Sequence, residues 1–341
     1  MSNSTPSVRY VKDSDFNWTR RKSGKGFRFL TDAGEALPPY EVTRIKKLVI
    51  PPAWAEVRIC ADECGHIQAV GFDAKGRKQY IYHPQWALEN QQHKFERMIR
   101  FGEILPTIRD TVAGHMRQQS LTRERVLATV VWLLEHTFIR VGNQEYAKAN
   151  HSYGLTTLRA KHVDVEGNKV TFSFKGKSGV FHDVDIRHPR IAKTLKQMLE
   201  LPGYEIFQYL DDDKQRHVVD SRDVNEYLQT ISGESLSAKD FRTWGGSTLA
   251  GDLLFQMGRP ETEADLKRNL TQASKEVSKH LRNTLTVCRK YYIHPAIIST
   301  YTEHKLVPHY AAIYDLPAPT TPLSIEEEAV WTLLKKRSKS K

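Results

Sequence analysis

The chain has 341 residues and a formal net charge of +11; 39% of residues are hydrophobic, 27% charged and 10% aromatic. That composition supports real cores over a length suited to two domains, argues against a disordered chain, and makes an anionic partner the first expectation. Three cysteines provide no disulfide framework, and no apolar run is long enough to span a bilayer, so a disulfide scaffold and a helical membrane protein are both disfavoured.

The charge is unevenly spread. Residues 1–90 hold 14 Lys and Arg against 10 Asp and Glu, the tail from Lys335 to Lys341 adds five cations, and residues 91–334 keep only about +2. Placement of cations, rather than bulk charge, must therefore carry a functional argument. The N-terminus, MSNSTPSVRYVKDSDF, is polar and lacks the apolar centre of a signal sequence.

From Trp18 the texture is β-like. GFRFL at 26–30 reads as a strand, PYEVTRIKKLVI at 39–50 as a helix, and Glu56–Cys60, His66–Phe72 and Gln79–His83 as further strands. The last two are joined by DAKGRK at 73–78, a hairpin with Gly76 at its turn. This ribbon displays Lys75, Arg77 and Lys78 beside Tyr80 and Tyr82. Alternating basic and aromatic groups suit a DNA groove; they equally suit a solvated edge whose lysines discourage strand pairing. Cys60 and Cys64 lack a second ligand pair at zinc spacing and are expected to be reduced thiols.

Beyond His83-Pro84 the pattern turns helical, which sets an expected boundary near residue 90, with a β-rich domain at 1–90 and a mainly helical one at 91–341. Glu89–Phe101 and Pro106–Gln118 read as two amphipathic helices, and Arg123–His136 as a buried helix that Arg140 ends. One β interruption follows: Val163–Val165, Val170–Phe174 and Val180–Ile186 form a small antiparallel sheet, with Lys177 at a hairpin tip. Ser237 and Asp240 make a capping box opening the helix that carries Arg242, and Ser324 with Glu327 opens the last helix. The expected fold class is α+β.

Gly176-Lys177-Ser178 is not a phosphate-binding P-loop, because Thr171 stands where its first glycine belongs and a strand follows instead of a helix. No metal-ligand spacing is present either, and no metal is expected. The segment NTLTVCRKYYIHP, residues 283–295, sets Tyr291 and Tyr292 behind Arg289 and Lys290. A phenol ionises near pH ~10, so it attacks well only beside fixed positive charge. Displacement at a phosphodiester builds charge on two non-bridging oxygens and on the leaving oxygen. Guanidiniums such as Arg140 and Arg242 can clamp the first with paired hydrogen bonds. A mobile ammonium such as Lys177 can protonate the second. Such a site would need neither metal nor ATP.

At these residues the chain resembles the poxvirus-like bacterial type IB DNA topoisomerases, whose catalytic fold is similar to that of tyrosine recombinases. The resemblance runs from about Tyr10 to about Tyr314. It rests on GFDAKGRKQYIYHPQW, RVGNQEYAKANHSYGLTTLRAKHV, FKGKSGVFHDV, KDFRTWGG and CRKYYIHP, in that order. It implies that Tyr292 is the nucleophile, Arg140 and Arg242 the phosphate clamp and Lys177 the general acid. The fifth catalytic position, often histidine in the wider group, falls on Asn283, which can donate to a phosphate oxygen but cannot become cationic. His280, three residues earlier, is its rival.

The resemblance further implies two domains closing round duplex DNA, a 3′-phosphotyrosyl intermediate, strand rotation and religation. It implies no cofactor and a cytoplasmic, nucleoid-associated monomer with no membrane association. Lys75, Arg77, Lys78, Tyr80, Tyr82, Arg289 and Lys290 are the expected further DNA contacts. Two other readings stay open. A tyrosine recombinase would usually show His-x-x-Arg where Lys239-Asp240-Phe241-Arg242 stands, and an architectural DNA binder would use the hairpin and the basic tail without catalysis.

Overall fold

A computed structural model describes residues 7–339. The chain divides into two compact units, Met1–Lys94 and Phe95–Lys341.

The first unit is an antiparallel five-stranded sheet. Its strands are β1 (Trp18–Ser23), β2 (Gly26–Thr31), β3 (Ala55–Ile59), β4 (Ile67–Phe72) and β5 (Lys78–Tyr82), in spatial order β2-β1-β3-β4-β5, with α1 (Pro39–Lys47) between β2 and β3. Pro39 opens α1, where its missing N–H is no loss. Leu37, Ile45, Val57, Ile59 and Ala69 bury against one another. In β5, Gln79 and Ile81 are half-buried while Lys78, Tyr80 and Tyr82 are exposed, the period-two alternation of a sheet with one wet face.

The boundary between the units falls inside α2 (Pro84–His115). Two separate helices were expected here, and they are one. Pro106 lies within it, where proline removes a hydrogen bond and ordinarily breaks a helix. Phe101, Ile104, Leu105 and Ile108 on either side are buried in the core, and that packing holds the helix continuous. Next come α3 (Arg123–Thr137), α4 (Gln144–Asn150), the sheet β6 (Val163–Glu166), β7 (Lys169–Lys175) and β8 (Phe181–Arg187), and α5 (Pro189–Leu199). A second β interruption, β9 (Gln208–Leu210) paired with β10 (Arg216–Val218), was not expected. Its three-residue strands are too short to show alternation. The remainder is helical: α6 (Ser221–Ser232), α7 (Ala238–Gln256), α8 (Glu263–Leu281), α9 (Leu285–Tyr291), α10 (Pro295–Thr302), α11 (Leu306–Tyr314) and α12 (Ile325–Ser338).

Helix α7 is the hub, packing against α3, α6, α8, α10, α11 and α12. The Asp240 carboxylate accepts from the Ser237 backbone N–H at 2.8 Å and its hydroxyl at 2.9 Å, fixing where α7 begins. Glu327, which caps α12 through Ser324, accepts from both Arg109 Nη atoms at 2.9 and 2.7 Å and from the Trp244 indole at 3.0 Å, so one buried carboxylate joins α12, α2 and α7. The basic tail is partly structured. Residues 335–338 continue α12, and Arg337 is bonded to Glu303 at 2.7 and 2.9 Å and to Ser299 at 2.9 Å. Lys341 lies outside the described residues.

Candidate active site

The site is assembled from three chain segments that meet at α7. The first follows α3. That helix stops at Thr137 because Phe138 adopts a left-handed conformation, so Arg140 stands beyond the helix rather than ending it. The Arg140 and Val141 carbonyls accept from the N–H groups of Leu155 and Thr156 at 2.9 and 2.7 Å, which pins the irregular segment in place.

The second segment is the first turn and a half of α7. Arg242 is only 3% exposed, and its nearest partners are not carboxylates. Nη1 donates to the Phe138 carbonyl and Nη2 to the Leu281 carbonyl at 2.7 Å. A solvated, ion-paired surface arginine, the ordinary expectation for such a residue, is thereby ruled out. Burial, and then the neighbouring Arg140 charge, pushes the Arg242 pKa down to about 10, while the Tyr292 oxygen pulls it the other way.

The third segment is the turn from α8 into α9 and its exit. Asn283 Oδ1 accepts from Arg140 Nη2. Burial lowers the Arg140 pKa, with Tyr292 opposing. Tyr292 follows the last residue of α9, and the Arg242 guanidinium carbon lies 5.2 Å from the centre of its ring. Tyr291 is 41% exposed, with the Lys290 ammonium 5.2 Å from its ring. The two tyrosines, between which only the resemblance had chosen, thus have different surroundings.

Two glycines and a serine of α7 make this approach possible. A Cβ on Gly245 would stand 2.1 Å from the Phe138 ring, and one on Gly246 would stand 2.8 Å from the Tyr292 carbonyl oxygen. Consecutive glycines in a buried helix weaken it locally; here each leaves room for a different segment of the candidate site. Ser247 is buried and bridges the third segment: its hydroxyl donates to the Tyr292 carbonyl at 3.2 Å and accepts from the His294 N–H at 2.9 Å. Sequence reasoning missed Ser247. The Gly-Gly pair inside a helix beside Arg242 was the available signal.

Three buried donors in this cluster have no hydrogen-bond partner: Arg140 Nη1, Arg242 Nε and Asn283 Nδ2. Buried polar groups are nearly always paired, and each exception carries a cost of about 1–3 kcal/mol. Two adjacent guanidiniums and an amide with N–H groups to spare form a ready anion site. His280, the rival of Asn283, is instead set against the Phe138 ring at 5.3 Å, and Arg140 bonds to Asn283.

Lys177 sits at the tip of the β7–β8 hairpin, exposed, and makes no hydrogen bond or ion pair among the described residues. Arg282, also missed, ties that hairpin to the Asn283 turn, its Nη2 donating to the Asp183 carbonyl at 2.8 Å. Cys288, from the same α9, is buried nearby; burial pushes its thiol up to about 11, with Arg242 and Arg140 opposing. Arg289 and Lys290 are exposed on α9. In the N-terminal unit, Lys75 and Lys78 are exposed and Tyr80 stacks with Tyr82 at 6.1 Å. Arg77 is instead bound to Asp73 within the turn, at 2.6 Å.

A family model described as the catalytic core of eukaryotic DNA topoisomerase I matches residues 74–310, and one described as the N-terminal domain of bacterial DNA topoisomerase IB matches residues 26–73. DNA topoisomerase 1B of Acanthamoeba polyphaga mimivirus is 33% identical over 282 residues, covering 80% of this chain and 84% of that protein. DNA topoisomerase 1B of vaccinia virus (strain Copenhagen) is 26% identical over 233 residues, 66% of this chain and 70% of that one. DNA topoisomerase 1 of Mycosarcoma maydis is 24% identical over 225 residues, 60% of this chain but 21% of that protein. The α+β architecture, the residues matched and these relatives place the chain in one family: it belongs to the type IB DNA topoisomerases.

Proposed function

We propose that this enzyme relaxes supercoiled duplex DNA through a covalent intermediate on Tyr292. The observation that carries the reading is the set of unpartnered N–H donors of Arg140, Arg242 and Asn283 gathered beside the Tyr292 ring. A tetrahedral phosphate with two non-bridging oxygens would satisfy them. In the first step the Tyr292 oxygen bonds to phosphorus as the bond to the 5′ oxygen breaks. The phenol proton leaves to water, and the Lys177 ammonium gives a proton to the departing oxygen. The product is a 3′-phosphotyrosyl link and a free 5′-hydroxyl. After the cut strand rotates, that hydroxyl attacks phosphorus and the same steps run backwards.

One phosphodiester is exchanged for another of similar energy, so the reaction requires no ATP, and the guanidiniums and the ammonium supply the charge stabilisation a metal would otherwise give. Preorganised charge supplies the rate: removing one oxyanion donor in such sites costs about 10²- to 10³-fold. Lys75, Lys78, Tyr80 and Tyr82 of the first unit, with Arg289 and Lys290 of α9, would hold flanking phosphates and bases. Arg77, neutralised by Asp73, would order the turn rather than bind DNA directly. A monomer suffices, because all five catalytic candidates come from one chain, and the site of action is the bacterial nucleoid.

Relaxation of a supercoiled plasmid in EDTA without nucleotide, followed by detergent quenching, tests the reading. Relaxed circles and a protein–DNA adduct are expected; binding with neither product would leave an architectural DNA binder.

A further inference from the structure

One buried side chain beside the site has no part in the reaction as described above. His182 is 2% exposed, stacks on Phe174 at 4.6 Å, and has no hydrogen-bond partner for either ring nitrogen. A neutral imidazole carries one N–H and one bare acceptor. Leaving both unmet inside a fold carries a desolvation cost. A phenyl ring would fill the same space and stack on Phe174 without that cost, so packing alone does not account for a histidine.

Its position suggests what does. His182 lies on β8 directly opposite Phe174 on β7, just below the turn that carries Lys177. Its Nε2 edge rests on Gly176, the residue before Lys177, where a Cβ would come within 2.5 Å of that nitrogen. Burial, helped by Arg282, Arg140 and Arg242, pushes its pKa down to about 4. The ring is therefore neutral near pH 7, and it packs against the hairpin turn within reach of the arginines' charge.

We propose that His182 is a positioning residue for Lys177: with DNA engaged, its Nε2 accepts a hydrogen bond from the Lys177 ammonium and holds that group toward the departing 5′ oxygen. This rests on Lys177 being the proton donor. An exposed lysine surrenders side-chain entropy when it is fixed, and a waiting acceptor offsets part of that. A carboxylate there would repel the phosphate and retain the proton. A neutral imidazole orients the ammonium without either penalty, leaving its other two N–H groups for substrate.

The test is single-turnover cleavage of a duplex carrying either the normal 5′ oxygen or a bridging 5′ sulfur at the scissile phosphate, since sulfur leaves without a proton. Lys177→Ala, His182→Phe, the double variant and His182→Gln are compared, each with its melting temperature. We expect His182→Phe to cleave the oxygen substrate about tenfold slower with little change in melting, and to recover on sulfur. The double variant should be no slower than Lys177→Ala, and His182→Gln, which keeps an acceptor, should be faster than His182→Phe. A His182→Phe protein as fast as wild type on oxygen, a defect that persists on sulfur, or equal rates for the two histidine variants would each overturn the proposal. Should Lys177→Ala itself fail to recover on sulfur, the proton-donor reading falls, and this inference with it.

Discussion

The Arg242 guanidinium lies 5.2 Å from the centre of the Tyr292 ring, with both of its Nη atoms held by backbone carbonyls of Phe138 and Leu281. The cation is thus locked in place by main chain from two other segments, and only its Nε remains without a partner. Buried guanidiniums are costly unless paired, and here the pairing is incomplete beside a tyrosine. That places stored electrostatic free energy where an incoming phosphate can collect it.

Arg242→Ala and Arg140→Ala should each lower single-turnover cleavage by about 10²- to 10³-fold. Arg242→Lys should recover little of the rate, because an ammonium's three N–H groups are not set in the rigid planar fork that spans two carbonyls and still faces the phosphate. Near-wild-type cleavage by Arg242→Lys would show that point charge, not the fixed fork, is what matters.

Asn283→Ala removes the acceptor for Arg140 and one unpartnered donor together. A loss of about 10²-fold is expected, with Asn283→His recovering most of it because an imidazole N–H can still donate. His280→Ala should remain active. If the losses appear in His280→Ala and not in Asn283→Ala, the fifth position has been misassigned.

Ser247→Ala leaves the Tyr292 carbonyl and the His294 N–H without their shared partner. Stability should fall on the order of 2 kcal/mol. A small displacement of the nucleophile should slow cleavage by about 10- to 100-fold with DNA affinity unchanged. Loss of stability with cleavage intact would make Ser247 a packing residue only.

The Glu327–Arg109 pair gives the fold a pH dependence of defined sign. Burial alone would raise the Glu327 pKa, but the hydrogen bonds and charge of Arg109 outweigh it, and the carboxyl titrates below its ordinary value. A carboxylate depressed in the folded state stabilises fully above its unfolded pKa of ~4.3. That contribution is lost as pH falls through the lower folded value. Glu327→Gln should cost about 1–2 kcal/mol at pH 7, because Arg109 keeps its pairing with Glu135 at 2.7 Å, and should make acid unfolding less steep. An unchanged acid limb in urea titrations would assign the pH dependence elsewhere.

The catalytic half of the fold was readable where side-chain pattern and turn chemistry agree. The β7–β8 hairpin shows alternation around Gly176–Gly179, the Ser237 capping box marks the start of α7, and the Ser324–Glu327 pair marks that of α12. Reading failed where tertiary packing overrode local chemistry, as at Pro106 inside α2, and where strands were too short to carry a period, as in β9 and β10. Arg140, Lys177 and Arg242 could be named from their places at turns and helix ends together with the family resemblance, but that Arg242 is buried and Lys177 exposed could not. Nothing in the sequence distinguishes Arg242, held by two carbonyls, from the exposed Arg289. The resemblance alone favoured Tyr292 over Tyr291; the physical difference between them, one ring beside Arg242 and the other exposed beside Lys290, appears only in the fold. Ser247 and His182 were invisible for a related reason: each acts through contacts remote in sequence or across a strand pair.

The central claim is that Tyr292 carries the DNA. Detergent-trapped adduct formed on a nicked-duplex substrate, digested with protease and sequenced by mass spectrometry, tests it directly. A nucleotide-modified peptide with the mass shift on Tyr292, absent from Tyr292→Phe and retained in Tyr291→Phe, is the predicted result. Modification on Tyr291, or relaxation by the Tyr292→Phe protein, would contradict it.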